Sequence, residues 1–490
     1  MSSEADVRIA KEEKPANALA CVGLEDVPVV VRGEAMEGCF NAAWLQSQGG
    51  GDATAGPLAC ECPAAFLQLS GQVIPEAIGW GPGGLLAADG SDALSHLPED
   101  QRPAPCLIAC DVGKKASAVV PVHAGVRCAL LLPFSADSSK VKGVDWIVVR
   151  GADRAAAEKF WAELGAVDAE GVPQFLKFEQ IYENQPPFPL FLATQKAGDV
   201  LVLPPHALAL CSAKLYALVC WERLPISLLH RAIPAEMPPP PRTHLGAPAL
   251  RAGGRSCLAA FCALRDLVAP QLRRPGEASL SGSARFDLKQ LVAAIERAQR
   301  AELRHGVLDE ERVEKARLAD PAVCACESCG RELFLFAFKE GGSGAFSCPY
   351  CAEAAHGAEA LAAPSATAVV MRTAPVRALP RLLSGAAEVL AKASADAAAQ
   401  EAADIEAIQQ MQTAQDGEGV GDEVYDPAAA AEAGAMALDE MSYEPSYETS
   451  AARADPRAAA APDPRAAAAA DPRGGGDPRA MGGMGAGQVG

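Results

Sequence analysis

The chain has 490 residues and a net charge of −19. That acidic balance excludes nucleic-acid binding by bulk electrostatics. Half of the residues are hydrophobic, but only 5% are aromatic and much of the rest is alanine, so the length suits two or three domains with modest cores. No run of about 18 apolar residues predicts a membrane span. The N-terminus, MSSEADVRIAKEEKPANALA, lacks the apolar stretch of a secretory signal. The expectation is an intracellular protein, nuclear or cytoplasmic, with its 16 cysteines reduced. Cys21, Cys39, Cys106, Cys128, Cys211, Cys220, Cys257 and Cys262 sit in apolar surroundings and read as small buried hydrophobes.

In chain order, residues 1–17 are polar and read as a flexible N-terminus. A β-rich domain is predicted over 18–233. Its apolar runs are VPVVVRG (27–33), CALLLPF (128–134), DWIVVRG (145–151), LFLA (190–193), DVLVLPP (199–205) and LYALVCW (215–221), each bounded by Gly, Pro or Asp. A helix interrupts them at 153–166, where Ala156, Phe160, Trp161 and Leu164 recur at helical spacing, and a second covers 175–183. Residues 234–321 form a Pro-rich linker (EMPPPPRTHLGAP) and a helical extension, with helices at 256–270 and 286–318. A zinc module spans 322–356, and 357–414 is Ala-rich and partly helical. The acidic, Ala-rich tail at 415–490, where DPR recurs, has little to bury and is expected to be disordered.

The sharpest local signal is Cys326-x-x-Cys329, eighteen residues, then Cys348-x-x-Cys351. Each CxxC brings two sulfurs into one tight turn, and two such turns supply the four thiolates of a tetrahedral zinc ion. Gly330 and Pro349 supply turn chemistry, and the intervening GRELFLFAFKEGGSGAFS reads as two short strands around a Gly-rich hairpin. All four positions are filled, which predicts a structural rather than a catalytic ion. Cys324 and His356 are the competing ligands nearby.

The stretch QKAGDVLVLPPHALALCSAKLYALVCWERL (195–224) reads strand, Pro-Pro turn, strand, turn, strand. It resembles the C-terminal half of a JmjC domain of the cupin superfamily. VPVHAGVRCALLLPF (120–134) resembles that family's first metal strand, and residues 145–166 resemble the strand and helix between its metal strands. The resemblance covers about 200 residues and implies a mostly β chain: a double-stranded β-helix with helical insertions, then helices, the small zinc module and the tail.

The family's chemistry needs two His and one carboxylate on Fe(II), with 2-oxoglutarate and O₂ on the open face. Carried over residue by residue, His123 falls on the first His and is the retained candidate iron ligand. Gly125 falls on the carboxylate, and Leu208 or Ala209 on the second His. His206 lies in the turn and is expected to point outward. Lys214, Lys196 and Arg127 are candidate 2-oxoglutarate anchors by charge alone and read as surface residues. The resemblance therefore implies a catalytically degenerate protein-interaction factor, with histone or chromatin proteins as the partner class and a nuclear location. The alternative is an Fe(II)/2-oxoglutarate-dependent lysine demethylase or hydroxylase with an altered metal site.

Overall fold

The computed structural model describes residues 7–33, 41–49, 51–73, 91–133, 143–234, 242–245, 255–273, 280–305, 317–318, 325–340, 344–357, 368–372 and 375–417. The chain divides into two compact units, 1–411 and 412–490. Of the second, residues 412–417, the end of a helix, are described. The DPR segment, most of the Pro-rich linker, Cys39 and Cys324 lie outside the described residues.

The first elements are β1 (Val7–Ile9), β2 (Lys11–Glu12), α1 (Pro15–Glu25), β3 (Val29–Val31), α2 (Ala42–Ser47), β4 (Leu58–Glu61) and α3 (Ala64–Val73). Next come β5 (Cys106–Pro121), β6 (Val126–Leu132), β7 (Val144–Val149), α4 (Arg154–Glu163), α5 (Phe178–Asn184), β8 (Leu190–Gln195), β9 (Val200–Leu203), β10 (Leu208–Arg223) and α6 (Leu229–Ala232). The remainder is α7 (Ser256–Arg273), α8 (Gly282–His305), β11 (Arg317–Leu318), β12 (Phe336–Glu340), β13 (Phe346–Ser347), α9 (Pro349–His356), β14 (Ala368–Arg372) and α10 (Pro375–Gly417).

Ten strands make one mixed sheet in the order β1-β8-β7-β10-β6-β9-β3-β2, with β5 on β10 and β4 on β5. It rolls into a nearly closed barrel. Residues 7–12 link its two ends: β1 runs parallel to β8, and β2 parallel to β3. Of the stretch 1–17, read from the sequence as a flexible N-terminus, residues 1–6 lie outside the described residues and 7–12 are paired into the sheet. The exposed backbone edges of β8 and β3 hold this polar segment through main-chain bonds, among them Ala10 N–H to Leu192 O (2.9 Å) and Glu13 N–H to Val30 O (3.1 Å).

β10 is the spine. One edge pairs with β5 from Leu208 to Cys220, and the other pairs with β7 over Leu208–Ser212 and with β6 over Ala217–Arg223. The turn expected within 208–221 is instead a register shift between Ala213 and Leu215, a bulge that turns Lys214 out to solvent. At the start of β9, Asp199 gathers the Lys196 and Gly33 amides (2.9 and 3.2 Å) and the Arg32 guanidinium. Gly33 is required there, since a Cβ would lie 2.0 Å from the Gly198 carbonyl oxygen.

The expectation of a mostly β chain is corrected. α7, α8 and α10 run 18, 24 and 43 residues, and helix exceeds strand among the described residues. Their sequences are rich in Ala, Leu, Glu, Gln and Arg, the good helix formers. These helices bury a second core with Phe334, Leu335, Phe336 and Phe338, and with Leu224, Leu229 and Ala124 at one end of the barrel. The cysteine segment is therefore built into the helical layer rather than set apart from it. β12 carries β13 on one side and β14 on the other, with β11 beyond, as a separate four-stranded sheet.

Candidate metal centre

The segment 325–357 folds as knuckle, hairpin and helix. Gly330 N–H donates to Cys326 O, and Cys326 N–H to Arg331 O, both at 2.7 Å, which wraps the first CxxC into a tight turn. Gly330 takes φ +70° to close it. The chain then forms the predicted hairpin, Phe338 opposite Ser347 and Lys339 opposite Phe346. Cys348 caps α9, Pro349 occupies its first turn, and Cys351 follows one residue after Tyr350. The second CxxC thus sits at a helix N-terminus, where the helix dipole favours thiolate. Glu327 ties knuckle to hairpin, its amide donating to Phe346 O (2.9 Å) and its carboxylate accepting from Phe346 N–H (3.1 Å). The Arg331 guanidinium lies 3.9 Å over the Tyr350 ring.

This scaffold brings the four predicted sulfurs, Cys326, Cys329, Cys348 and Cys351, within 4.8 Å of one another. Cys326 and Cys348 are buried, Cys329 and Cys351 partly so. The Cys329 and Cys348 sulfurs are 3.7 Å apart. Cys329 and Cys348 donate to the Cys326 sulfur and pull its proton affinity down, while Cys348 is pushed up as a donor in that pair. Four converging thiols of this kind can hold a metal ion. His356 is not part of the group.

Two buried acids fasten the centre to the helices. Glu332, three residues beyond Cys329, accepts from the Cys257 and Leu258 amides (2.8 and 2.9 Å) at the start of α7. Glu302 of α8 accepts from the Leu335 and Phe336 amides (2.9 and 3.1 Å). Burial raises both carboxyls, Glu302 to about 8 and Glu332 to about 7.

The barrel residues behave differently. His123 lies in the connection between β5 and β6, not on a strand, so the expected shared strand face for His123 and Gly125 is not formed. His206 was expected to point outward and is instead buried. It sits at φ +59°, its amide donates to His123 O (2.7 Å), and its Nε2 lies 3.0 Å from Ala232 O. Burial lowers its pKa to about 4. Leu208 and Ala209 are buried on β10. A Cβ at Gly125 would lie 2.3 Å from Glu222 Oε1, which accepts the Gly125 amide at 2.6 Å. Glu222 therefore occupies the space a carboxylate at position 125 would need. Arg127, read as a surface residue, is fully buried opposite Glu222 on β6 and donates to Cys106 Sγ at 2.9 Å. Lys214 and Lys196 are exposed, as expected. Beside Arg127 and Glu222, Asp92 and Arg223 form a buried ion pair at 2.8 Å.

Glu222, Asp92 and Arg223 were not singled out from the sequence. The one signal was a pair of charges, Glu222-Arg223, closing the apolar run LYALVCW. Among the described residues, neither His123 nor His206 joins a convergent group of three metal-ligating side chains. No protein-family model matches the chain, and no curated protein matches it. Among the described residues, no helix is long and apolar enough to cross a membrane.

Proposed function

We propose that this chain is a JmjC-like protein that has lost oxygenase chemistry and acts as a protein-interaction factor, with histone or chromatin proteins as its partner class. The observation that carries the reading is the buried polar cluster at the barrel end. Glu222 fills the space over Gly125, and the His206 ring is engaged by the Ala232 carbonyl. One of the three positions that the resemblance assigns to iron, Gly125, is thereby taken up by the protein's own contacts, and so is the ring of His206, the histidine nearest the third. The near-closed sheet with a long spine strand supports a double-stranded β-helix. The chromatin partner and nuclear location follow from the resemblance alone.

In the same reading the four thiols hold zinc. A tetrahedral ion with Zn–S bonds of about 2.3 Å requires sulfur–sulfur edges of about 3.8 Å, and the Cys329–Cys348 separation of 3.7 Å matches. An all-thiolate set of four leaves no position for a catalytic water, so the ion's work is structural. It joins the knuckle to α9 beneath the aromatic residues of the helical layer.

The test is elemental analysis joined to thermal melting. Purified protein should carry one zinc and no iron, and Fe(II) with 2-oxoglutarate should leave the melting temperature unchanged, since a ligand stabilises only by binding the folded state. A stabilisation by Fe(II) and 2-oxoglutarate that His123→Ala or His206→Ala abolishes would restore the oxygenase reading.

A further inference from the structure

α10 is two helices in one. Its inner half is core: Leu379, Ala386, Val389 and Ala393 are buried with α7 and α8. Beyond Ala397 every described side chain through Thr413 is exposed. The apolar face does not end where the contact ends. Ile408 and Met411 fall within about 60° of Ala386, Ala393 and Ala397 on the helix wheel at 3.6 residues per turn, and Ile405 lies about 60° further round from Ile408. Ile405, Ile408 and Met411 are 50%, 51% and 61% exposed. Isoleucine and methionine at this spacing in open solvent make a stripe with nothing on it among the described residues.

Charge decides what fits the stripe. Glu401 and Asp404 lie within its arc and Asp396 at about 60° from Met411, while Glu406 is on the opposite face, and no Lys or Arg occurs between Lys392 and the helix end at Gly417. At the base of the stripe is a groove of about 540 Å³, lined by Arg285 of α8 with Asp396, Gln400, Asp404, Ile405 and Ile408. Arg285 is already committed there, donating to Ala393 O at 3.2 Å. A second copy of this helix would bring carboxylates against carboxylates with no cation on either helix beyond Lys392, an unfavourable pairing. A basic amphipathic helix supplies both missing components, an apolar face for the stripe and cations for its rim.

We propose that the outer part of α10, residues 398–411, is a docking helix for a basic amphipathic helix of a partner protein. This deepens the interaction-factor reading and rests on it, but not on the state of the barrel. The test uses the full chain and a fluorescent Leu/Lys peptide with leucines at i, i+3, i+4 and i+7, read by anisotropy. Binding should be saturable at one to one and should weaken as salt rises. Ile408→Ser with Met411→Ser should weaken it about tenfold, as should Glu401→Gln with Asp404→Asn, each about 1.4 kcal/mol. A Leu/Lys peptide of the same composition without an apolar face should bind about tenfold more weakly. All the substituted side chains are exposed, so melting temperature and helical signal should hold and report folding independently.

Absence of binding, or binding indifferent to both pairs of substitutions, overturns the proposal. So does concentration-dependent dimerisation lost in Ile408→Ser, which makes a second copy the occupant. Peptide binding that appears only after residues 418–490 are removed makes the chain's own tail the occupant, and also overturns it. If the peptide fails while iron and 2-oxoglutarate still give no stabilisation, the barrel reading survives without this surface. If the peptide binds and iron stabilises the fold, the reverse holds.

Discussion

The barrel end and the cysteine centre solve the same problem in opposite ways. Each collects groups that are costly to bury. At the barrel end the protein answers part of them itself: Asp92 meets Arg223, one Glu222 oxygen meets the Gly125 amide, and one Arg127 nitrogen reaches the Cys106 sulfur. At the cysteine centre four thiols converge on one another. A polar set whose members engage one another is closed, whereas four converging sulfurs are an open set of metal ligands. That contrast separates the two readings more clearly than any single residue does.

The largest effect should come from the open set. Chelating the metal, or Cys326→Ser, should unfold residues 325–357 and loosen α7 and α8, because Phe334, Phe336 and Phe338 share their core. Structural zinc contributes on the order of 10 kcal/mol in small domains. A fall in melting temperature of about 10 °C or more is therefore expected, with loss of helical circular dichroism. The environments of Trp146 and Trp221, buried in the barrel core, should change little. A metal-free protein with the same melting curve would break the comparison at its root.

The closed set predicts a mid-sized effect. Asp92→Ala leaves Arg223 buried without its carboxylate, and stripping one partner from a buried pair costs about 3–5 kcal/mol. Urea unfolding should show that loss with an unchanged slope. A cost below about 1 kcal/mol would mean water reaches the pair and the barrel end is not sealed.

The smallest effect sharpens the link between the two regions. Glu302 has a carboxyl raised from an ordinary value of 4.5 to about 8 by burial. The folded state thus binds a proton more tightly than the unfolded chain does. The stability this confers is fully present below about 4.5 and is lost as pH rises towards 8. Loading of the metal centre runs the other way, because its thiols must deprotonate. The comparison is therefore between metal-loaded wild type and Glu302→Gln, which keeps an acceptor for the Leu335 and Phe336 amides. The melting-temperature gap between them should shift by a few degrees against the wild type from pH 6 to pH 9. A pH-independent gap would show that Glu302 holds the same charge in both states.

What was legible in the sequence was local. A CxxC turn is covalent geometry plus a glycine, so Cys326, Cys329, Cys348 and Cys351 were readable, as was the hairpin between them. The strands β3, β6, β7, β8 and β9 announced themselves as Val- and Leu-rich runs. β5 did not, because its middle reads DVGKKAS, and only pairing with β10 along both halves makes it a strand. Arg127 and Glu222 look like surface residues until register sets them face to face inside the barrel. His206 looks outward-facing until its left-handed turn brings the ring to a carbonyl 26 residues away. The Phe-rich strand of the cysteine segment looked like part of a free-standing module because its partners, Glu302 and the α7 amides, come from helices with no pattern that names them. In each case the missing information was a long-range contact.

The seam of the barrel carries a consequence in time. Val7 pairs with Leu190, so β1 leaves the ribosome well before a partner about 180 residues behind it. At synthesis rates of 5–20 residues per second that interval is roughly 10–40 s. Throughout it, the edges that residues 7–12 will bridge have nothing to bridge, and the sheet can twist but not close. Closure therefore depends on a segment made well before its partner strand, and Val7 and Ile9 are the apolar side chains that a chaperone would meet in between.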